Sequence, residues 1–164
     1  SNSGTATGFG LTMVDQWRLT ANLSNPGSSN ITANLERVDD ATFSKIGTGM
    51  SVSSGVFSFP STGLYLVQLH ATFFGNANAD SNVNAYITGT ADNSSYDDLA
   101  LAQCGVDTSN NKKKEATTQT YFNCTNVSTH KVRFRTTSMN SNSVLGDTDV
   151  NYTIFTFIRL GDSQ

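Results

Sequence analysis

The sequence predicts an all-β protein, a sandwich or barrel built from about ten short strands in two sheets. Three observations carry this. No stretch of eleven or more residues places apolar side chains at i, i+3, i+4 and i+7, so no convincing helix is present. Short runs rich in Val, Ile, Phe, Tyr and Thr alternate with period two. Clusters of Gly, Pro, Asn and Ser interrupt these runs roughly every 8 to 15 residues.

Along the chain, SNSGTATG (residues 1–8) is small and polar and reads as a flexible N-terminal arm or linker, leaving 9–164 as a single domain. Position 1 is Ser, so the chain reads as a processed product or a piece of a longer protein. Candidate strands at 9–23, 31–38, 49–52 and 55–59 lead to the bend FPSTGL. There Pro60 presets its φ near −65° and removes a ladder donor, which ends a strand, and Gly63 is expected to supply a positive φ at the start of the next. The bend closes a hairpin or carries the chain between sheets; local sequence leaves both open. Further strands are expected at 64–74, 82–90, 99–106, 117–126, 131–138 and 150–160.

The two faces of these strands differ. In 131–138, Val132 and Phe134 alternate with Lys131, Arg133 and Arg135, and in 82–90, Val83, Ala85 and Ile87 alternate with Asn82, Asn84 and Tyr86. One face of that sheet is expected to meet water. Strand 64–74 is apolar on both sides: Leu64, Leu66, Gln68 and His70 point one way, and Tyr65, Val67, Leu69 and Phe73 the other. In NYTIFTFIRL, Phe155 and Phe157 share a face opposite Tyr152, Ile154, Thr156 and Ile158, and in 117–126 Phe122 lies opposite Tyr121. Fully burying a Leu or Ile is worth roughly 1.5–3 kcal/mol. Leaving Leu64, Leu66, Ile154 and Ile158 bare would forgo ~6–12 kcal/mol, comparable to the whole stability of a domain. With no helix to cover this sheet, the pattern predicts further copies of the chain in a closed symmetric oligomer. The competing explanations are an N-terminal segment folded over the face, or a strand parity one residue out.

The segment GVFSFPSTGLYLVQLHATF (55–73) resembles the part of complement-type globular head domains where an aromatic strand runs through a Pro-Gly bend into a GLY strand with a His-Ala pair. The tail VRFRTTSMNSNSVLGDTDVNYTIFTFIRLGD resembles their last two strands, including the NSVLG loop. The resemblance spans roughly residues 31 to 162. It implies a tumour-necrosis-factor-like (TNF-like) jelly roll of ten strands in two sheets, packed as a homotrimer with the inner sheets facing the three-fold axis. It also implies that the inter-sheet option is the right one for the bend at Pro60–Gly63. On this mapping the trimer interface holds Leu64, Leu66, Gln68, His70, Tyr121, Tyr152, Ile154, Thr156 and Ile158. The sandwich core holds Tyr65, Val67, Leu69, Phe73, Phe122, Phe134, Phe155 and Phe157. Cys104 matches a family cysteine, but the partner position near Val83 holds none, so the family's bridge is not inherited. The stretch ERVDDATFSKIGTGM resembles structural proteins of marine bacterial viruses.

Composition narrows function further. The net charge is −3, charged residues are 14% and hydrophobic ones 37%, so the polar surface is largely Ser, Thr and Asn. No field is present to attract nucleic acid or an anionic membrane surface, and no window approaches the ~18 apolar residues of a membrane helix. Nucleic-acid binding and membrane insertion are therefore not expected. NKKKE (111–115) carries no interleaved aromatics and reads as a charged loop tip.

Only His70 and His130 are available as imidazole ligands, neither in a metal-binding spacing, so no metal or other cofactor is expected. His70 reads as a packed interface residue and His130 as a solvated turn residue. Asp147 and Asp149 form either a calcium-binding loop or a solvated turn. No G-x-S-x-G occurs and the glutamates are only Glu36 and Glu115, so no catalytic residue is assigned and the chain reads as non-enzymatic; a carbohydrate-acting jelly roll is the enzymatic alternative. Cys104 and Cys124 read as buried free thiols or as a bridge. Six Asn-x-Ser/Thr sequons are about what chance yields at this composition and decide nothing.

The expected function is a virion structural and recognition module: a homotrimeric jelly-roll head serving as capsid decoration, fibre tip or host-attachment knob of a bacterial virus. Its partners would be itself, other virion proteins, and a host-cell surface receptor or glycan met by the polar loops 76–81, 91–98 and 107–115. The alternative is a secreted complement-like or cytokine-like binding domain of a cellular organism.

Overall fold

In the computed structural model, residues 10–75, 80–106, 112–139 and 141–164 are described. The arm 1–8 and most of the loops 76–81 and 107–115 lie outside the described residues.

Thirteen strands and no helix are found among the described residues: β1 (Val14–Leu19), β2 (Leu23–Ser24), β3 (Gly27–Asn30), β4 (Leu35–Arg37), β5 (Ser51–Ser53), β6 (Val56–Ser58), β7 (Gly63–Gly75), β8 (Asp80–Thr90), β9 (Asp97–Val106), β10 (Lys113–Cys124), β11 (Lys131–Met139), β12 (Asn142–Val144) and β13 (Ile154–Gly161). Every pairing between them is antiparallel. One sheet places β7 at its centre, with β10 on one edge and β13, then β1 and β4, on the other; β12 and β2 extend it past the end of β13. The second sheet runs β5-β6-β11-β8-β9, with β3 added to β11. This alternation of the chain between two antiparallel sheets is the jelly roll.

The core lies between the sheets. Tyr65, Val67, Leu69, Phe73, Phe155 and Phe157 come from the first sheet and Phe57, Phe134, Val132 and Ile87 from the second, and all are buried. Phe134 packs against Phe155 at 4.4 Å and Phe57 against Phe157 at 5.1 Å between ring centroids. Phe122 stacks on Phe59 at 5.0 Å and closes one end.

Local chemistry explains the turns. Ser54 and Gly55 both have positive φ, 49° and 78°, and form a two-residue link between β5 and β6, the turn whose twist matches paired strands. The bend after β6 carries the chain from the second sheet to the first, so it is a crossing and not a hairpin. Gly63 does not have the positive φ expected of it. Its role is close approach: a Cβ there would lie 2.5 Å from Arg159 Nε and 2.8 Å from the Gly161 carbonyl oxygen. The Tyr65 hydroxyl donates to the Ser61 carbonyl at 2.8 Å and holds the corner.

Several strand boundaries differ from the expectation. The run 9–23 breaks into β1 and β2, and 31–38 shortens to β4 with β3 before it; Asn25 between β2 and β3 and Asn34 just before β4 adopt left-handed backbone conformations. The expected 150–160 strand starts only at Ile154, while β12 is a short strand that periodicity over three residues does not reveal.

The outer face of the second sheet is polar and meets water in part: Asn82 and Gln103 are exposed, and Lys131, Tyr86, Arg133 and Arg135 are half-buried. Asn84, Thr88 and Thr90 are buried. The segment after β8 folds back over them, with the Arg133 guanidinium stacked 3.7 Å from the Tyr96 ring centre and Arg135 forked onto Asp98 at 2.8 and 2.5 Å. Long arginine stems cover the sheet here, an amphipathic use that alternation cannot separate from solvent exposure.

Candidate self-association face

The first sheet turns its other side outward, and the register of its four central strands orders that side into rungs. Val14 (β1), Ile158 (β13), Leu66 (β7) and Tyr121 (β10) lie directly opposite one another across the strands. The next rung is Gln16, Thr156, Gln68 and Gln119. The third is Arg18, Ile154, His70 and Thr117. Strict antiparallel pairing with period two puts alternate residues of each strand on one side, so each rung is a row of neighbouring side chains.

Leu64, Leu66, Gln68, His70, Tyr152, Ile154, Thr156 and Ile158 are half-buried, and Tyr121 is 68% exposed. Neighbouring side chains thus already screen part of the aliphatic surface. The free energy at stake is about half the full-exposure figure, ~3–6 kcal/mol. The N-terminal strand does not lie across this face, since β1 pairs beside β13 as a further strand of the same sheet. His70 Nδ1 and Thr117 Oγ1 share a hydrogen bond at 2.8 Å, and Gln16 Nε2 donates to Thr156 Oγ1 at 3.1 Å. Above the third rung, Lys113 Nζ donates to the Tyr152 hydroxyl at 3.2 Å and sits 4.4 Å from its ring centre.

Beside the apolar rung, where the edges of the two sheets meet at β9 and β10, a groove of about 230 Å³ is lined by Gly89, Leu99, Tyr121, Phe122, Asn123 and His130 among others. Leu99 is 39% and Leu101 40% exposed at the β9 edge. His130 is half-buried, its Nε2 3.2 Å from Thr125 Oγ1 and its Nδ1 3.1 Å from Thr129 Oγ1. These local partners and the ring's edge contact with Phe122 give it the role of a turn residue more enclosed than expected.

Sequence patterning misses two buried charges next to this face. Asp15 is fully buried, and its carboxylate accepts from Arg37 Nε at 2.8 Å, Trp17 Nε1 at 3.0 Å and the Met50 backbone N–H at 2.7 Å. Arg37 also stacks 4.6 Å from the Trp17 ring centre. Arg18, only 1% exposed, donates to Glu36 at 2.7 Å, Asp39 at 2.5 Å and Asp40 at 3.0 Å. Burial would push its guanidinium down, but the hydrogen bond and charge of Glu36, with Asp40 and Asp39, outweigh it and hold the group charged. The sequence offers only the acidic run ERVDD, which straddles the end of the expected 31–38 strand and gives no sign of the buried Arg18 beneath it.

No three His, Cys, Asp or Glu side chains converge in a metal-binding arrangement among the described residues. Asp147 Oδ1 accepts from the Asp149 and Val150 backbone N–H groups at 2.7 and 3.1 Å, a turn-forming pattern that holds its carboxyl below the usual range. Cys104 and Cys124 are free thiols, and burial pushes both thiols up. Val83 lies directly opposite Cys104.

No family model matches the sequence, and no curated protein matches it. Solved structures match its shape. Eiger TNF from S. frugiperda superposes with a TM-score of 0.69 at 11% identity, covering 94% of this chain and 96% of that one. Murine APRIL at pH 8.0 gives 0.64 at 11% identity, covering 90% and 98%. The globular domain of zebrafish complement 1qA protein gives 0.58 at 12% identity, covering 92% and 99%. At such identities the likeness establishes architecture, and the architecture of this chain is the TNF-like jelly roll.

Proposed function

We propose that this chain is a non-enzymatic recognition module: a jelly-roll head that assembles as a homotrimer through the β1–β13–β7–β10 face and meets its partner through its loops at an extracellular surface. The observation that carries this reading is the apolar rung of Val14, Ile158, Leu66 and Tyr121, with Leu64 and Ile154 beside it, on a sheet that no helix covers among the described residues. A three-fold ring needs two different, complementary patches on each copy. The rungs toward β1 and β13 supply one and the exposed β9 edge with Leu99 and Leu101 supplies the second, while side chains of β7 and β10 closest to the axis meet their own copies.

Of the two settings expected from sequence, the extracellular one has the better support, because the three neighbours named above are animal proteins of TNF and complement type. The virion setting rests on the style of ERVDDATFSKIGTGM and on a Ser-, Thr- and Asn-rich surface, and that surface suits an extracellular protein equally.

Sedimentation velocity on the purified chain tests the reading. A trimer is expected for the parent, and folded monomers for Leu66→Asp and Ile154→Asp, since a carboxylate on a covered apolar rung loses its hydration. A monomeric parent, with both variants equally folded and monomeric, sinks it.

A further inference from the structure

The middle rung is chemically unlike its neighbours. Gln16, Thr156, Gln68 and Gln119 run in register across four adjacent strands, without a charge or an aliphatic group among them, between the apolar rung and the rung carrying Ile154 and His70. Gln16 and Thr156 satisfy each other at 3.1 Å. Among the described residues, neither Gln68 nor Gln119 has a side-chain hydrogen-bond partner, although Gln68 is half-buried. In a monomer water serves these two amides. On a covered face water is expelled, and an unmatched amide is costly to bury.

An amide carries both donors and acceptors and no net charge, so a row of amides complements another copy of itself. A carboxylate row would repel its copy, and an aliphatic row would accept any register. We propose that the Gln68–Gln119 pair is the register element of the self-association face: in the assembled protein these amides hydrogen-bond to the same amides of neighbouring copies. The flanking apolar rungs supply the cohesion, and the amide rung admits only the arrangement in which amide meets amide. This is the sheet counterpart of a buried polar residue that fixes stoichiometry at some cost in stability. The inference rests on the self-association reading and names the side chains that make it specific.

Two variant sets test it, read by sedimentation equilibrium and native mass spectrometry with circular dichroism to verify folding. Gln68→Glu and Gln119→Glu place like charges from each copy on one rung. At pH 7.5 their association is expected to weaken at least about 100-fold relative to the parent, and to recover near pH 4, where a protonated carboxyl again both donates and accepts. The double variant Gln68→Leu/Gln119→Leu is expected to associate at least as tightly as the parent but as a mixture of sizes. Ser51→Glu, exposed on β5 at the edge of the second sheet opposite β9, is expected to leave stoichiometry unchanged. Glutamate variants that assemble like the parent at pH 7.5, or stay dissociated while folded at pH 4, overturn the proposal. A double leucine variant of one size identical to the parent does so as well. A monomeric parent instead overturns the self-association reading beneath it.

Discussion

At the scale of single residues, Asp15 is a buried charge on which several donors depend. It is fully buried and receives Trp17, Arg37 and the Met50 amide, so truncation leaves several donors without an acceptor. Asp15→Ala is expected to cost about 3–5 kcal/mol, the range for breaking one side of a buried ion pair. Thermal denaturation should show a fall of at least ~6 °C for a chain of this size. Asp98 behaves differently because it is exposed. The hydrogen bonds from Arg135 hold its carboxyl below the usual range, so its stabilising contribution is complete above the unfolded value near 4 and is lost as pH falls through the lower folded value. That contribution is small, about 0.2–1 kcal/mol, for a pair open to solvent. Urea denaturation across pH 2–6 should therefore show a slightly shallower acid limb for Asp98→Asn than for the parent.

At the scale of elements, the β5–β6 hairpin is set by two backbone conformations and not by side-chain packing. Gly55 has φ of 78°, and a Cβ there would sit 2.0 Å from the Ile31 carbonyl oxygen. Gly55→Val is expected to destabilise the fold by more than ~1–2 kcal/mol, read from the denaturant midpoint. Ser54→Asn, at φ 49°, should be neutral or slightly stabilising because Asn tolerates that region. β7 shows why the faces of the central strands were legible in the sequence while the boundaries of the outer strands were not. From Gly63 to Ala71 its buried and half-buried positions alternate, a run long enough to give a period-two signal. β12, with three residues, has none to offer, and its place is set by pairing with the end of β7.

For the whole molecule, the self-association reading makes stability depend on concentration. If copies cover the rungs, the melting temperature of the parent should rise as protein concentration is raised through the association range, by mass action on the folded state. Leu66→Asp should melt at a temperature independent of concentration. Differential scanning calorimetry over a hundredfold range checks both, and a flat parent curve would leave the outward face of the first sheet without a covering copy. The β9–β10 edge belongs to the same test. Its Leu99 and Leu101 are among the more exposed large apolar residues described, so Leu101→Lys is expected to weaken association without lowering monomer stability by more than ~0.5 kcal/mol.

The sequence by itself determined the all-β class, the two-faced character of β7 and β13, and the crossing-capable bend at Pro60, because alternation and turn chemistry are local properties that survive without neighbours. Only the tertiary structure decided that Gly63 serves close approach to Arg159, that ERVDD caps a buried Arg18, and that Gln16, Thr156, Gln68 and Gln119 share one rung. Those facts depend on which strands pair and in what register. Residues from opposite ends of the chain meet there, and no local pattern encodes the distance between them.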